Sequence, residues 1–168
     1  MPLDLVRIDD RLVHGQVVIT WSAFLNTTKI ILCNDEIAKS DSEKEMYKNA
    51  EEIALNPLKI CVWTQQETLA AIHGEKLTKE RAILLIETPK DLLSLVNSGL
   101  KISQANVGGL HFREGKRRLN SYIYVDDEDI ICLQKLHQMG IELEGKDVPS
   151  AKIFNVSKII NAQQIASS

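Results

Sequence analysis

Two carboxylates, an arginine and a histidine stand close together near the start of the chain, in Asp9-Asp10-Arg11-Leu12-Val13-His14-Gly15-Gln16-Val17. Imidazole is nucleophilic when neutral, and its ordinary pKa leaves much of it neutral near pH 7. A phosphoryl group accepted on a ring nitrogen needs its oxygens neutralised. Arg11 offers a planar fork of donors, and the backbone amides of Gly15, Gln16 and Val17 add to it. Glycine after the histidine lets the backbone approach closely and tolerates positive φ. Either Asp9 or Asp10 can hold the arginine or fix the imidazole tautomer. A lone histidine in a turn is ordinarily a solvated residue, and Asp-Asp-Arg ordinarily a loop ion pair. The combination, in this order, points to phosphoryl chemistry with His14 as acceptor, Arg11 as its helper, and Asp10 or Asp9 as the supporting carboxylate.

That chemistry needs a strand to end and a helix to begin around His14. Leu3, Leu5, Val6 and Ile8 read as a short strand, and Val17, Val18, Trp21, Phe24 and Leu25 recur at helical spacing, so a helix begins near Gln16. His14 then lies in a strand-to-helix turn, where unpaired N–H groups and the positive helix end face an anion.

Downstream, apolar runs alternate with capped helices. Lys29–Cys33 suits a strand covered on both faces and ends in a turn at Asn34-Asp35. Ser40-Asp-Ser-Glu43 has capping-box spacing before a helix carrying Met46, Tyr47, Ala50 and Ile53, stopped by Asn56-Pro57. Leu58–Trp63 is a strand, Thr64-Gln-Gln-Glu67 a second capping box, and Ala82–Ile86 a fourth strand. Thr88-Pro89 opens a helix that closes at Gly99. The alternation predicts an α/β fold, an open, mainly parallel twisted sheet with helices on both faces, in a single domain over residues 1–168. Ligands in such sheets bind beyond the carboxyl ends of the strands, the end that Asn34, Asp35 and Thr64 share with His14.

After Gly99 the pattern predicts a strand over Ile102–Val107, a Gly108-Gly109 turn and a basic loop with His111, Arg113, Lys116, Arg117 and Arg118. Ser121–Val125 is strand-like. Asp126-Asp127 opens a helix ending at Gly140, Ile141–Glu144 is a last short strand, and Val156–Ile165 a terminal helix. Gly108, His111, Arg113 and Lys116 are the second place to look for function, against the plainer reading of a solvated hairpin. His73 and His137 fall near helix ends, where a surface or dipole role suffices. Trp21 and Trp63 suit packing.

Composition narrows the classes. The 168 residues, 44% hydrophobic, suffice for one packed core, and a net charge of −3 gives no reason to expect nucleic acid. No apolar run reaches the roughly 20 residues that span a bilayer, and no basic-then-apolar leader is present, so a cytoplasmic protein is expected. Cys33, Cys61 and Cys132 lie in apolar segments without Cys-x-x-Cys spacing and read as reduced core thiols. No cofactor or metal is expected.

The run Arg7-Ile-Asp-Asp-Arg-Leu-Val-His-Gly-Gln-Val, followed by Trp21, closely resembles the signature of the enzyme IIB component of the mannose/fructose/sorbose family of the bacterial phosphotransferase system. The likeness continues through Asn34-Asp35-Glu36-Ile37-Ala38, Asn106–Lys116, Tyr124–Asp129 and Asp147-Val-Pro149, nearly the whole chain. It departs at Gly109-Leu110, where the family has a Gly-Asn-Met-like run. The resemblance implies that His14 is phosphorylated on Nδ1 by the phosphohistidine of an enzyme IIA domain. It further implies that the group passes to a sugar held by membrane IIC/IID subunits, with which the protein associates peripherally. The sugar would be of the mannose, fructose, sorbose or N-acetylhexosamine class. It also favours a place for the Gly108–Lys116 loop on the docking surface.

Two other phosphoryl modules compete. A histidine phosphatase uses a His-Gly step after a strand but needs an arginine directly before the histidine, where Val13 stands. A receiver-like module would bind Mg²⁺ through Asp9-Asp10, but neither Cys61-Val62-Trp63 nor Leu85-Ile86-Glu87 supplies its acceptor aspartate.

Overall fold

The structure, a computed structural model, describes residues 3–74, 80–163 and 165. Its strands are β1 (Leu3–Asp9), β2 (Lys29–Cys33), β3 (Lys59–Trp63), β4 (Ala82–Ile86), β5 (Gln104–Gly109), β6 (Arg117–Arg118), β7 (Tyr124–Val125), β8 (Glu142–Gly145) and β9 (Phe154–Asn155). A π-helical turn (Gln16–Trp21) runs into α1 (Ser22–Leu25). The other helices are α2 (Asp35–Ala38), α3 (Asp41–Lys48), α4 (Gln65–His73), α5 (Pro89–Asn97), α6 (Asp127–Gln138) and α7 (Val156–Asn161), with a 3₁₀ segment at Asn49–Ile53. Seven strands form one mainly parallel sheet in the order β3-β2-β4-β1-β5-β8-β9, while β6 and β7 pair by themselves. The α/β reading therefore holds. The antiparallel pairing of β8 with β9 escaped the sequence because β9 is only two residues long.

By its contacts the chain divides into two compact units, Met1–Val6 with Arg11–Glu87, and Arg7–Asp10 with Thr88–Ser168. In the first, β2 pairs in parallel with β3 and with β4. Ile30, Leu32, Ile60, Val62, Ile83 and Leu85 are buried in a core cluster with Leu12, Val17, Val18 and Trp21. Strands buried on both faces explain the unbroken apolar runs. In the second, β1 pairs in parallel with β5, and β5 with β8. The caps are those expected at Thr64, Thr88 and Asp126, with reciprocal capping boxes at Thr64/Glu67 and Asp126/Asp129.

The departures have local causes. Phe24, expected on the buried helix face, is 67% exposed, whereas Ser22 is buried and donates to the Val18 carbonyl. The wider π turn at Gln16–Trp21 rotates every later residue away from the positions a regular α-helix would assign. Asn34-Asp35 is not a plain turn: Asn34 caps α2 by accepting from the Glu36 and Ile37 amides. The helix opened by Ser40 tightens to 3₁₀ geometry at Asn49, short of Asn56-Pro57. Gly108-Gly109 forms no turn, because both residues lie buried inside β5. The terminal helix ends at Asn161, and residue 164 of its expected span lies outside the described residues.

Candidate functional site

In the first unit, Arg11–Gly15 lead into the π-helical turn. Leu12 anchors this segment: its side chain is buried in the core and its backbone is left-handed at φ 60°. Leucine rarely adopts that conformation, so burial must outweigh the strain. Gly15, by contrast, has ordinary right-handed helical angles, so the freedom of the glycine is not used there. His14 is half-buried, and its carbonyl starts the helix by accepting from the Val17 and Val18 amides at 3.1 and 3.0 Å. The Val17 amide is thus engaged and its side chain is core, which leaves Gly15 and Gln16 as the first-turn amides without an intrahelical acceptor. Arg11 Nη2 donates to Gln16 Oε1 at 3.0 Å, a bond that joins the two ends of the segment carrying His14.

The loops after β2, β3 and β4 are tied to one another. Asn34 donates through Nδ2 to Glu87 Oε2 at 2.9 Å, and Asp35 Oδ1 accepts from the Gln65 amide at 2.7 Å. Thr64 Oγ1 caps α4. Asn34, Asp35 and Thr64 therefore brace the carboxyl ends of these strands.

The second unit holds what the sequence reading misassigned or missed. Asp9 is no loop residue. It closes β1, fully buried, and its carboxylate accepts from Arg7 Nη2 at 2.9 Å. Arg7, also fully buried, donates in addition to Asn106 Oδ1 at 2.7 Å and to the Lys146 and Asp147 carbonyls at 2.8 and 3.1 Å. Gly108 serves this cluster rather than a loop: a Cβ there would stand 1.9 Å from the guanidinium carbon. The register shifts between Ile8 and Asp9, so that Ile8 faces Val107 and Asp9 faces Gly109, with Gly108 the extra residue. The signal was present: an arginine inside an apolar strand, with a carboxylate two residues on and hence on the same face, has to pair.

Asp10, the next residue, accepts from the His111 amide at 2.8 Å and lies 2.5 Å from His111 Nδ1. Arg113 is exposed, whereas Lys116 is drawn down to Asp129 at 2.9 Å. Burial pushes the Asp129 carboxyl up from its ordinary range, outweighing the nearby Lys116 ammonium. The thiols of Cys61 and Cys132 are likewise raised by burial, as core cysteines should be.

A family model described as PTS system sorbose subfamily IIB component matches residues 3–168. The chain is 32% identical over 161 residues to the sorbose-specific EIIB component of Klebsiella pneumoniae, covering 96% of each. It is 37% identical over 163 residues to the mannose-specific EIIAB component of Escherichia coli K12, spanning 95% of this chain and 50% of that protein. The crystal structure of the IIBSor domain of the Klebsiella pneumoniae sorbose permease superposes with a TM-score of 0.88 at 31% identity, covering 99% of this chain and 100% of that one. That of the N-acetylgalactosamine-specific IIB component 1 from Escherichia coli gives 0.84 at 31%, covering 92% and 99%. The chain belongs to the sorbose subfamily of IIB components, the phosphotransferases of sugar phosphotransferase systems.

Proposed function

We propose that His14 is the phosphoryl carrier of this IIB component. It takes the group from the phosphohistidine of a IIA domain and passes it to a sugar bound by membrane IIC/IID subunits, on the cytoplasmic side. The observation that carries this reading is the 3.0 Å bond from Arg11 to Gln16, which ties a guanidinium across the ends of the turn that carries a half-buried imidazole. Phosphoryl transfer asks little covalent chemistry of the protein, only in-line positioning and charge neutralisation. The donor's N–P bond breaks as the His14 nitrogen forms its own, and the group then leaves for a sugar hydroxyl. Arg11 and the Gly15 and Gln16 amides face the phosphoryl oxygens throughout, and no metal is called for. The sugar belongs to the ketose, hexose or N-acetylhexosamine classes that the relatives' names cover.

The test is transfer from phosphoenolpyruvate through the general phosphotransferase proteins and a matching IIA domain, with and without chelator. His14→Ala should carry no phosphate at position 14 and abolish sugar phosphorylation. Arg11→Ala should keep the acceptor and slow transfer by about a hundredfold. Sugar phosphorylation that survives His14→Ala, or labelling that chelator abolishes, overturns the assignment.

A further inference from the structure

We propose that His111 is a second phosphoryl-accepting histidine, taking the group on Nε2 because Asp10 holds Nδ1. The inference shares only the donor with the reading of His14. Its geometry lies within the second unit. Leu110 is fixed on both sides, donating to the Tyr122 carbonyl at 2.9 Å and accepting from the Tyr124 amide at 2.8 Å. The next residue is gripped twice by one carboxylate: Asp10 Oδ2 takes the His111 amide, and Oδ1 faces Nδ1 at 2.5 Å. Asp10 is held in turn by its own amide, which donates to the Gly109 carbonyl at 3.0 Å. The carboxylate is 9% exposed and the imidazole 59% exposed, so a nearly buried anion orients a ring that stands in solvent.

A carboxylate can only accept, so in the neutral ring the proton sits on Nδ1 and the lone pair on Nε2, the nitrogen that does not face Asp10. This is the arrangement that makes a histidine a nucleophile: one nitrogen held by a carboxylate, the other offered to the reactant. A counter-charge for the arriving group stands two residues on. Arg113 is exposed and, among the described residues, forms no ion pair, whereas Lys116 is engaged by Asp129. In the step, the donor's N–P bond breaks and its electron pair returns to the donor ring, while the Nε2 lone pair forms the new N–P bond. The Nδ1 proton stays between ring and carboxylate, and the charge of Asp10 offsets the positive charge the ring acquires.

The experiment uses the full chain, as wild type, His14→Ala, His111→Ala and Asp10→Asn, with two donors: phosphorylated IIA protein and phosphoramidate. Mass spectrometry of peptides kept at alkaline pH locates the phosphate, and nitrogen-resolved NMR of the wild type assigns it to Nδ1 or Nε2. The expected result is phosphate on His111 Nε2 in wild type and in His14→Ala, and none on that peptide in His111→Ala. In Asp10→Asn, labelling at His111 should fall by at least about tenfold relative to exposed His73 on the same molecules. Absence of phosphate at His111 with both donors, attachment through Nδ1, or indifference to Asp10→Asn overturns the proposal. Phosphate at His14 alone removes this inference and leaves the carrier reading intact, and phosphate at His111 alone does the reverse.

Discussion

Asp129 carries a charge that burial disfavours. It caps α6 by accepting from the Asp126 amide and meets Lys116 at 2.9 Å, yet burial raises its pKa above the ordinary 3.8. A carboxyl whose native pKa lies above its unfolded one binds its proton more tightly when folded. Its contribution to stability is therefore fully present below pH 3.8 and is lost as the pH rises through the raised native value. Asp129→Asn keeps the shape and cannot ionise. The stability of wild type relative to this variant, read from urea midpoints between acid and neutral pH, should decline as the pH rises. A wild-type advantage that grows with pH would contradict the assignment.

At the scale of elements, the end of β1 is set by a cluster rather than by its own ladder. Arg7 ties β1 to Asn106 of β5 and to the carbonyls that follow β8, and Gly108 leaves it room. Gly108→Ala should destabilise the protein by about 2–4 kcal/mol, the scale of a core overpacked against a buried charge. Exchanging a buried ion pair for apolar residues is often neutral, so in an Arg7→Met/Asp9→Leu background the same alanine should cost less than about 1 kcal/mol. Equal costs in both backgrounds, measured by chemical denaturation, would show that the guanidinium is not what the methyl meets. The elements themselves were legible from periodicity and caps: β2, β3 and β4 fall where their apolar runs placed them, and α4, α5 and α6 begin at the predicted caps. Legibility stopped where tertiary contacts decide conformation. Nothing local in Gly108-Gly109 distinguishes a turn from a strand that must pass a buried arginine. Nothing in Gln16–Trp21 announces a π turn, which is why Phe24 was assigned to the wrong face. Of the candidate site, the placement of His14 between strand and helix was readable, because residue types and capping rules suffice for it. The partner of Asp10 was not, because it lies about a hundred positions away; that of Asp9 was legible in principle, as an arginine two residues earlier on the same strand face.

Across the whole molecule, β1 contributes Leu3–Val6 to one compact unit and Arg7–Asp9 to the other. A strand divided in this way cannot melt in part without exposing backbone donors in both, so the chain is expected to unfold as one domain. Scanning calorimetry should give a single transition with equal calorimetric and van't Hoff enthalpies, and two resolved transitions would divide the domain. Among the described residues no helix is long and apolar enough to cross a membrane. The absent Cβ of Gly108 has a historical consequence as well. While an arginine occupies position 7, almost any change at 108 is closed to a lineage, and the route to a larger residue there opens only after that arginine is lost. Positions 7 and 108 should thus drift in a fixed order, and a randomised library at 108 selected for folding should return glycine until position 7 is randomised with it.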